Sequence, residues 1–204
     1  MKIICLDLEG VLVPEIWIAF SEAAGIPELR RTTRDEPDYD KLMVSRLAIL
    51  KENRLGLADI QKVIAGIDPL PGAKAFTASL REAAQLIILS DTFEQFAAPL
   101  MAKLNYPTLF CNTLLVDPSG AVTGYQLRRQ NGKCHAVKAF RSMGLQVFAA
   151  GDSFNDLAMI EAANAGALFR APPSIRQSHG HIPSTETYAE LRARIDEFLG
   201  KSFL

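Results

Sequence analysis

Ile3-Ile4-Cys5-Leu6-Asp7-Leu8-Glu9-Gly10-Val11-Leu12 is the stretch that decides how the rest of the chain is read. Its apolar run has no polar alternation, the pattern of a short strand covered on both faces in the middle of a parallel sheet. The run ends in acid. Asp7 and Glu9 are two positions apart, so an extended backbone sends both side chains to the same side, and Gly10 allows a sharp turn or a close approach to a ligand. Open α/β sheets bind ligands in the crevice beyond the carboxyl ends of their strands. Taken alone, the pair is either two solvated loop acids or the beginning of an active site.

The same pattern returns twice. Leu86-Ile87-Ile88-Leu89 runs into Ser90-Asp91-Thr92, and Gln146-Val147-Phe148-Ala149-Ala150 runs into Gly151-Asp152-Ser153-Phe154-Asn155-Asp156. From Ala73 onward, helices and strands alternate as a parallel sheet requires. A helix over 73–84 precedes the strand at 86–89, a helix over 93–104 follows it, and a short strand is expected near 108–111. Leu114-Leu115-Val116 and Ala121-Val122-Thr123 flank Asp117-Pro118-Ser119-Gly120, the turn chemistry of a β-hairpin. Gln130 to Lys133 reads as a loop before a helix reaching about Met143. A helix over 156–163, a strand at 167–169 and a last helix over 186–199 complete the alternation. Between the first strand and the breaker Pro69-Leu70-Pro71-Gly72 the signals are all helical, at 16–24, about 40–53 and 57–65. The fold class expected is therefore α/β, a Rossmann-like parallel-sheet core interrupted by a helical insertion after its first strand and carrying a β-hairpin.

Composition narrows the function. With 22 Lys and Arg against 23 Asp and Glu, the net charge of −1 gives no basic footprint for nucleic acid or an anionic membrane. Cys5, Cys111 and Cys134 are scattered and cannot all pair, which points to a reducing, cytoplasmic setting. No apolar run is long enough for a membrane span. The charged stretch from Arg30 to Asp40, with Arg34 and Pro37 inside it, reads as a solvated excursion. In the next helix Leu42, Met43, Leu47 and Leu50 share a face, with Arg46 in its middle. A buried guanidinium needs a partner: an internal acid, an escape to the surface, or a carboxylate brought by a substrate. His179 and His181 lack further ligands and read as surface residues.

A parallel sheet brings the three strand ends to one rim. Asp7, Glu9, Asp152 and Asp156 would then repel one another, and each like-charge pair at about 4 Å costs on the order of 1–4 kcal/mol. Oxygen donors without His or Cys suit a hard ion such as Mg²⁺, which commonly shares its shell with a substrate phosphate. Lys133 stands at a helix start, where the dipole disfavours a cation, so it is either an exposed lysine or one that answers a nearby negative charge. An aspartate nucleophile, a second carboxyl, a metal-binding acid, a hydroxyl and a lysine together form a site for phosphoryl transfer through an aspartyl phosphate. In it Ser90 donates a hydrogen bond to the phosphoryl group, and Glu9 acts as general acid and then base.

Asp7-Leu8-Glu9-Gly10-Val11-Leu12, Ser90, Lys133 and Gly151-Asp152-Ser153-Phe154-Asn155-Asp156 resemble the motifs of the haloacid dehalogenase superfamily of phosphatases, across essentially the whole chain. The helical insertion is similar to the small cap of the phosphoserine phosphatase branch, which implies a core of residues 1–13 and 71–204 and a cap of residues 14–70. The resemblance also implies L-phosphoserine as substrate, with Glu15 on its ammonium and Arg46 on its carboxylate. Ser90, Asp91, Lys133 and Asn155 would complete substrate binding, and Asp156 would support them. It implies Mg²⁺ on Asp7, the backbone carbonyl of Glu9, and Asp152. Glu9 stands where the family usually has a second aspartate, one methylene shorter. The run from Asp7 to Glu15 resembles members that also pass the phosphoryl group to homoserine. A receiver-type signalling domain also phosphorylates an aspartate but has no helical cap and no acid two residues beyond it. A phosphometabolite binder would need no nucleophile at Asp7.

Overall fold

The computed structural model describes residues 1–32, 35–36 and 38–200, so Arg34 and Pro37 of the charged excursion lie outside the described residues. Seven strands form one sheet in the order β4-β3-β2-β1-β5-β6-β7. They are β1 (Lys2–Leu6), β2 (Gln85–Phe93), β3 (Thr108–Val116), β4 (Val122–Gln126), β5 (Gln146–Gly151), β6 (Ala165–Phe169) and β7 (Ser184–Thr185). All neighbours pair in parallel except β3 and β4, the two arms of the hairpin. The apolar run that opens the chain lies at the centre, with β2 on one side and β5 on the other.

Alternation along β1 separates two cores. Ile4 and Leu6 face a layer that includes α4 (Ala73–Ala83), α5 (Glu94–Lys103) and α9 (Tyr188–Leu199), through Leu80, Phe96 and Leu191. Ile3 and Cys5 face α6 (Gly132–Ser142), α7 (Phe154–Ala162) and α8 (Pro173–Ser178), through Val137, Ile160 and Ile175. Helices on both faces leave only the strand ends open, which is why the rim carries the polar residues.

Between β1 and α4 lie α1 (Ile16–Ala24), a 3₁₀ turn (Pro27–Arg30), α2 (Tyr39–Glu52) and α3 (Leu57–Ala65). The segment departs and returns side by side: the Leu70 amide donates to the Leu12 carbonyl at 2.9 Å. It is also tied to the hairpin. The Leu57 amide donates to the Gly120 carbonyl at 2.9 Å, and the Tyr125 hydroxyl of β4 meets the Asp40 carboxylate of α2.

The structure corrects several element boundaries. β2 extends through Ser90, Asp91 and Thr92 with a register shift between Leu89 and Phe93, a bulge that re-aims those side chains. The stretch near 108–111 and the first hairpin arm are one strand, β3. α7 begins at Phe154 because Ser153 and Asp156 form a capping box, and α9 begins at Tyr188 because Thr187 and Glu190 form another. The 3₁₀ turn, α8 and the two-residue β7 have no counterpart in the sequence reading. No described helix is long and apolar enough to cross a membrane.

Candidate active site

A cavity of about 560 Å³ lies over the carboxyl ends of β1, β2 and β5. Asp7, Glu9, Glu15, Arg46, Ser90, Asp91, Lys133, Asp152 and Asn155 all line it, while Asp156 lies buried behind them. Strand pairing delivers the first acid: the Asp7 amide continues the β1–β5 ladder by donating to the Ala150 carbonyl at 3.0 Å. The chain then turns through Gly10, at φ +75°, and the Gly10 amide donates to the Val13 carbonyl at 2.8 Å. A Cβ on Gly10 would overlap the carboxylate of Asp152. The glycine is thus required twice, by its left-handed backbone and by the acid packed against it.

Lys133 sits among carboxylates. Its Nζ is 2.8 Å from Asp156 Oδ1, 2.9 Å from Asp7 Oδ1 and 3.6 Å from Asp91 Oδ2. Burial alone would pull the ammonium down, but Asp156, Asp7 and Asp91 outweigh it and hold Lys133 well above the usual lysine range. Asp156 is fully committed to this framework, since its Oδ2 accepts the amides of Asp152 (3.0 Å) and Ser153 (3.1 Å). Gly151 gives it room, because a Cβ there would overlap the Asp156 side chain.

Asp7, Asp152 and Asp156 can each offer an oxygen with all three within 4.8 Å of one another. Burial, Asp156 and Asp152 push the Asp7 carboxyl well above the ordinary range, and Lys133 pulls it back. Buried oxygen donors crowded to this degree fit a hard divalent cation, whose charge relieves the repulsion. Both Asp156 oxygens are engaged, Oδ1 by Lys133 and Oδ2 by two amides, while at Asp7 the Lys133 and Leu8 contacts both fall on Oδ1.

Glu9 has a different setting. Its Oε2 accepts the Ile16 amide at 3.0 Å. Burial first, then the charge of Glu15, push its carboxyl up to about 7, against the opposing pull of the Ile16 amide, Thr92 and Arg46. A carboxyl in that range holds or yields a proton near neutrality.

On β2, the Ser90 hydroxyl accepts the Thr92 amide at 3.2 Å, which leaves its own hydrogen to donate. Asp91 accepts from Asn155 Nδ2 at 2.7 Å, and its carbonyl accepts from Asn112 Nδ2 at 3.1 Å and from the Tyr39 hydroxyl at 3.3 Å. Asn112, Tyr39, Thr92 and Trp17 were missed by sequence reasoning. Thr92 is the one with a visible signal, as the second residue beyond Ser90 on the same strand face.

Arg46 is buried on α2, with its guanidinium carbon 4.3 Å from the centre of the Trp17 ring. Nη2 donates to the Arg31 carbonyl at 2.8 Å, Nε has no partner, and no carboxylate lies within ion-pair distance among the described residues. Burial lowers its pKa to about 10, with Tyr39, Glu9 and Glu15 opposing the shift.

The comparisons agree with this geometry. The haloacid dehalogenase-like hydrolase family matches residues 11–161. The chain is 53% identical over 202 residues to the protein named phosphoserine phosphatase ThrH from Pseudomonas aeruginosa, covering 99% of this chain and 97% of that one. It is 52% identical over 192 residues to a phosphoserine phosphatase from Pseudomonas syringae pv. tomato, covering 94% of this chain and 81% of the relative. Among solved structures, a phospho-aspartyl intermediate analogue of phosphoserine phosphatase superposes with a TM-score of 0.77 at 22% identity, covering 94% of this chain and 97% of that one, a likeness of fold. With a parallel sheet of this topology, acids gathered at its rim, and the family match across most of its length, the chain belongs to the haloacid dehalogenase-like hydrolase family.

Proposed function

We propose that this enzyme is a magnesium-dependent phosphoserine phosphatase working through a phosphoryl group carried on Asp7, and that it also passes this group to homoserine. The observation that carries the substrate is Arg46, a buried guanidinium that lines the same cavity as Asp7 and Lys133 and whose Nε has no partner. A fixed cation with no carboxylate within ion-pair distance among the described residues suits a ligand that brings its own carboxylate. The printed names of the two Pseudomonas relatives support the same substrate. Glu15, at the N-terminus of α1, is the acid offered to the ammonium. Residues 14–70 serve as the cap over a core of residues 1–13 and 71–204. Three free cysteines support a cytoplasmic setting.

The Asp7 carboxylate attacks phosphorus as the bond to the serine oxygen breaks, and Glu9 gives that oxygen a proton. Water, or the hydroxyl of homoserine, then returns a proton to Glu9 and attacks phosphorus, releasing Asp7. Lys133 and the Ser90 hydroxyl face the phosphoryl oxygens, while Asp91 and Asp156 hold Asn155 and Lys133 in place. The carboxylates of Asp7 and Asp152 and the backbone carbonyl of Glu9 would hold Mg²⁺, which when bound supplies positive charge against the phosphoryl oxygens.

The test is a phosphate-release screen over phosphorylated metabolites, with and without Mg²⁺, repeated with homoserine while phosphohomoserine is followed. Phosphoserine should be cleaved only with Mg²⁺, and Asp7→Ala should be inactive. No release from phosphoserine, or an active Asp7→Ala, would overturn the reading, and absence of phosphohomoserine would remove the transfer step alone.

A further inference from the structure

Trp17 is buried at the start of α1, lines the cavity, and has its ring 4.3 Å from the guanidinium carbon of Arg46. The indole is itself fixed. It makes edge contacts with Phe20 of its own helix, centroids 6.3 Å apart, and with Phe96 of α5, centroids 5.6 Å apart. Besides the aromatic face, the Arg31 carbonyl holds Arg46 by accepting from Nη2 at 2.8 Å, and Met43 Sδ lies 3.8 Å from Nη1. Nε is left without a partner.

We infer that Trp17 is the positioning residue of a carboxylate clamp: it holds the Arg46 guanidinium in place and dry at the cavity wall, so that the guanidinium receives the substrate carboxylate. An unsupported arginine would have to order a long, rotamer-rich side chain on binding, whereas a stacked one has lost that freedom already. The indole also covers one face of the guanidinium, and exclusion of water strengthens its attraction for an anion. Trp17 touches no reacting atom, so its effect falls on the recognition of carboxylated substrates. This inference rests on the reading of the cavity as a site for a phosphomonoester that carries a carboxylate.

Two measurements test it. In the first, kcat and KM are compared for phosphoserine and for O-phosphoethanolamine, which lacks the carboxylate. Trp17→Leu should raise KM for phosphoserine by roughly tenfold with little change in kcat, lowering the preference for phosphoserine by a similar factor, and Trp17→Phe, which keeps an aromatic face, should restore much of it. Equal losses on both substrates, or no loss, would overturn the inference. The second needs no variant at position 17, because Trp17 is the single tryptophan of the chain. L-Serine should shift its emission saturably and ethanolamine should not, and Arg46→Ala should abolish the response. An emission indifferent to L-serine would overturn the clamp. A protein inert toward phosphoserine whose emission still separates L-serine from ethanolamine would overturn the substrate and keep the clamp.

Discussion

The carboxylate of Asp152 packs directly against the α-carbon of Gly10, a contact that any side chain at position 10 would occupy. The two residues come from the turns after β1 and β5, and their closeness sets how near Asp152 can lie to Asp7. Gly10→Ala adds a Cβ at φ +75° and displaces Asp152. The expected outcome is a loss of about 1–3 kcal/mol in denaturant unfolding, together with loss of phosphate release. Wild-type activity in this variant would show that Asp152 need not hold its present place.

Lys133 compensates three acids from a buried position. Lys133→Met leaves Asp7 and Asp156 facing each other uncompensated, and should cost about 3–5 kcal/mol of stability as well as abolish turnover. Asp156→Asn should be milder for stability, because an amide can still take part in hydrogen bonds at that place. Chemical denaturation of the two variants checks the order, which reverses if Asp156 rather than Lys133 anchors the cluster.

Crowded carboxylates are relieved by a cation that binds the folded chain alone. At free Mg²⁺ about a hundred times its dissociation constant, folding should gain about 2.7 kcal/mol. Thermal melts with Mg²⁺ and with chelator should differ accordingly, and Asp152→Asn should remove most of the difference. Identical melts with and without Mg²⁺ would count against a cation between Asp7 and Asp152.

Glu9 is pushed up to about 7, so its carboxyl keeps its proton below that pH and loses it above. On the mechanism proposed above, this group gives the serine oxygen its proton. For phosphoserine, kcat/KM should therefore fall as pH rises through about 7, reporting the protonated form in the free enzyme. Glu9→Gln should lower activity and lose that descending limb. A limb that persists in Glu9→Gln belongs to some other group.

The architecture was legible because each apolar run ended abruptly in acid. β1, the first half of β2, and β5 announce themselves as buried parallel strands, and the rim follows from their being parallel. The sequence did not reveal the continuation of β2 beyond Leu89, because a bulge interrupts the pattern where polar residues begin. β7 has two residues and exists by pairing with β6, with the Thr185 hydroxyl on the Leu168 carbonyl at 2.9 Å, so no local signal marks it. In the cavity, Arg46 stood out as a charge on an apolar face. Trp17 did not, since an aromatic three positions from Phe20 on a helix looks like ordinary core until the guanidinium above it is seen.

The Asp7 amide bonded to the Ala150 carbonyl has a kinetic corollary. Groups far apart along the polypeptide meet only after the two central strands have found each other, an association of high sequence separation and slow closure. Catalytic competence should thus be among the last properties regained on refolding, trailing the recovery of helical signal, and truncated nascent chains ending before β5 should be inert however well their helices form.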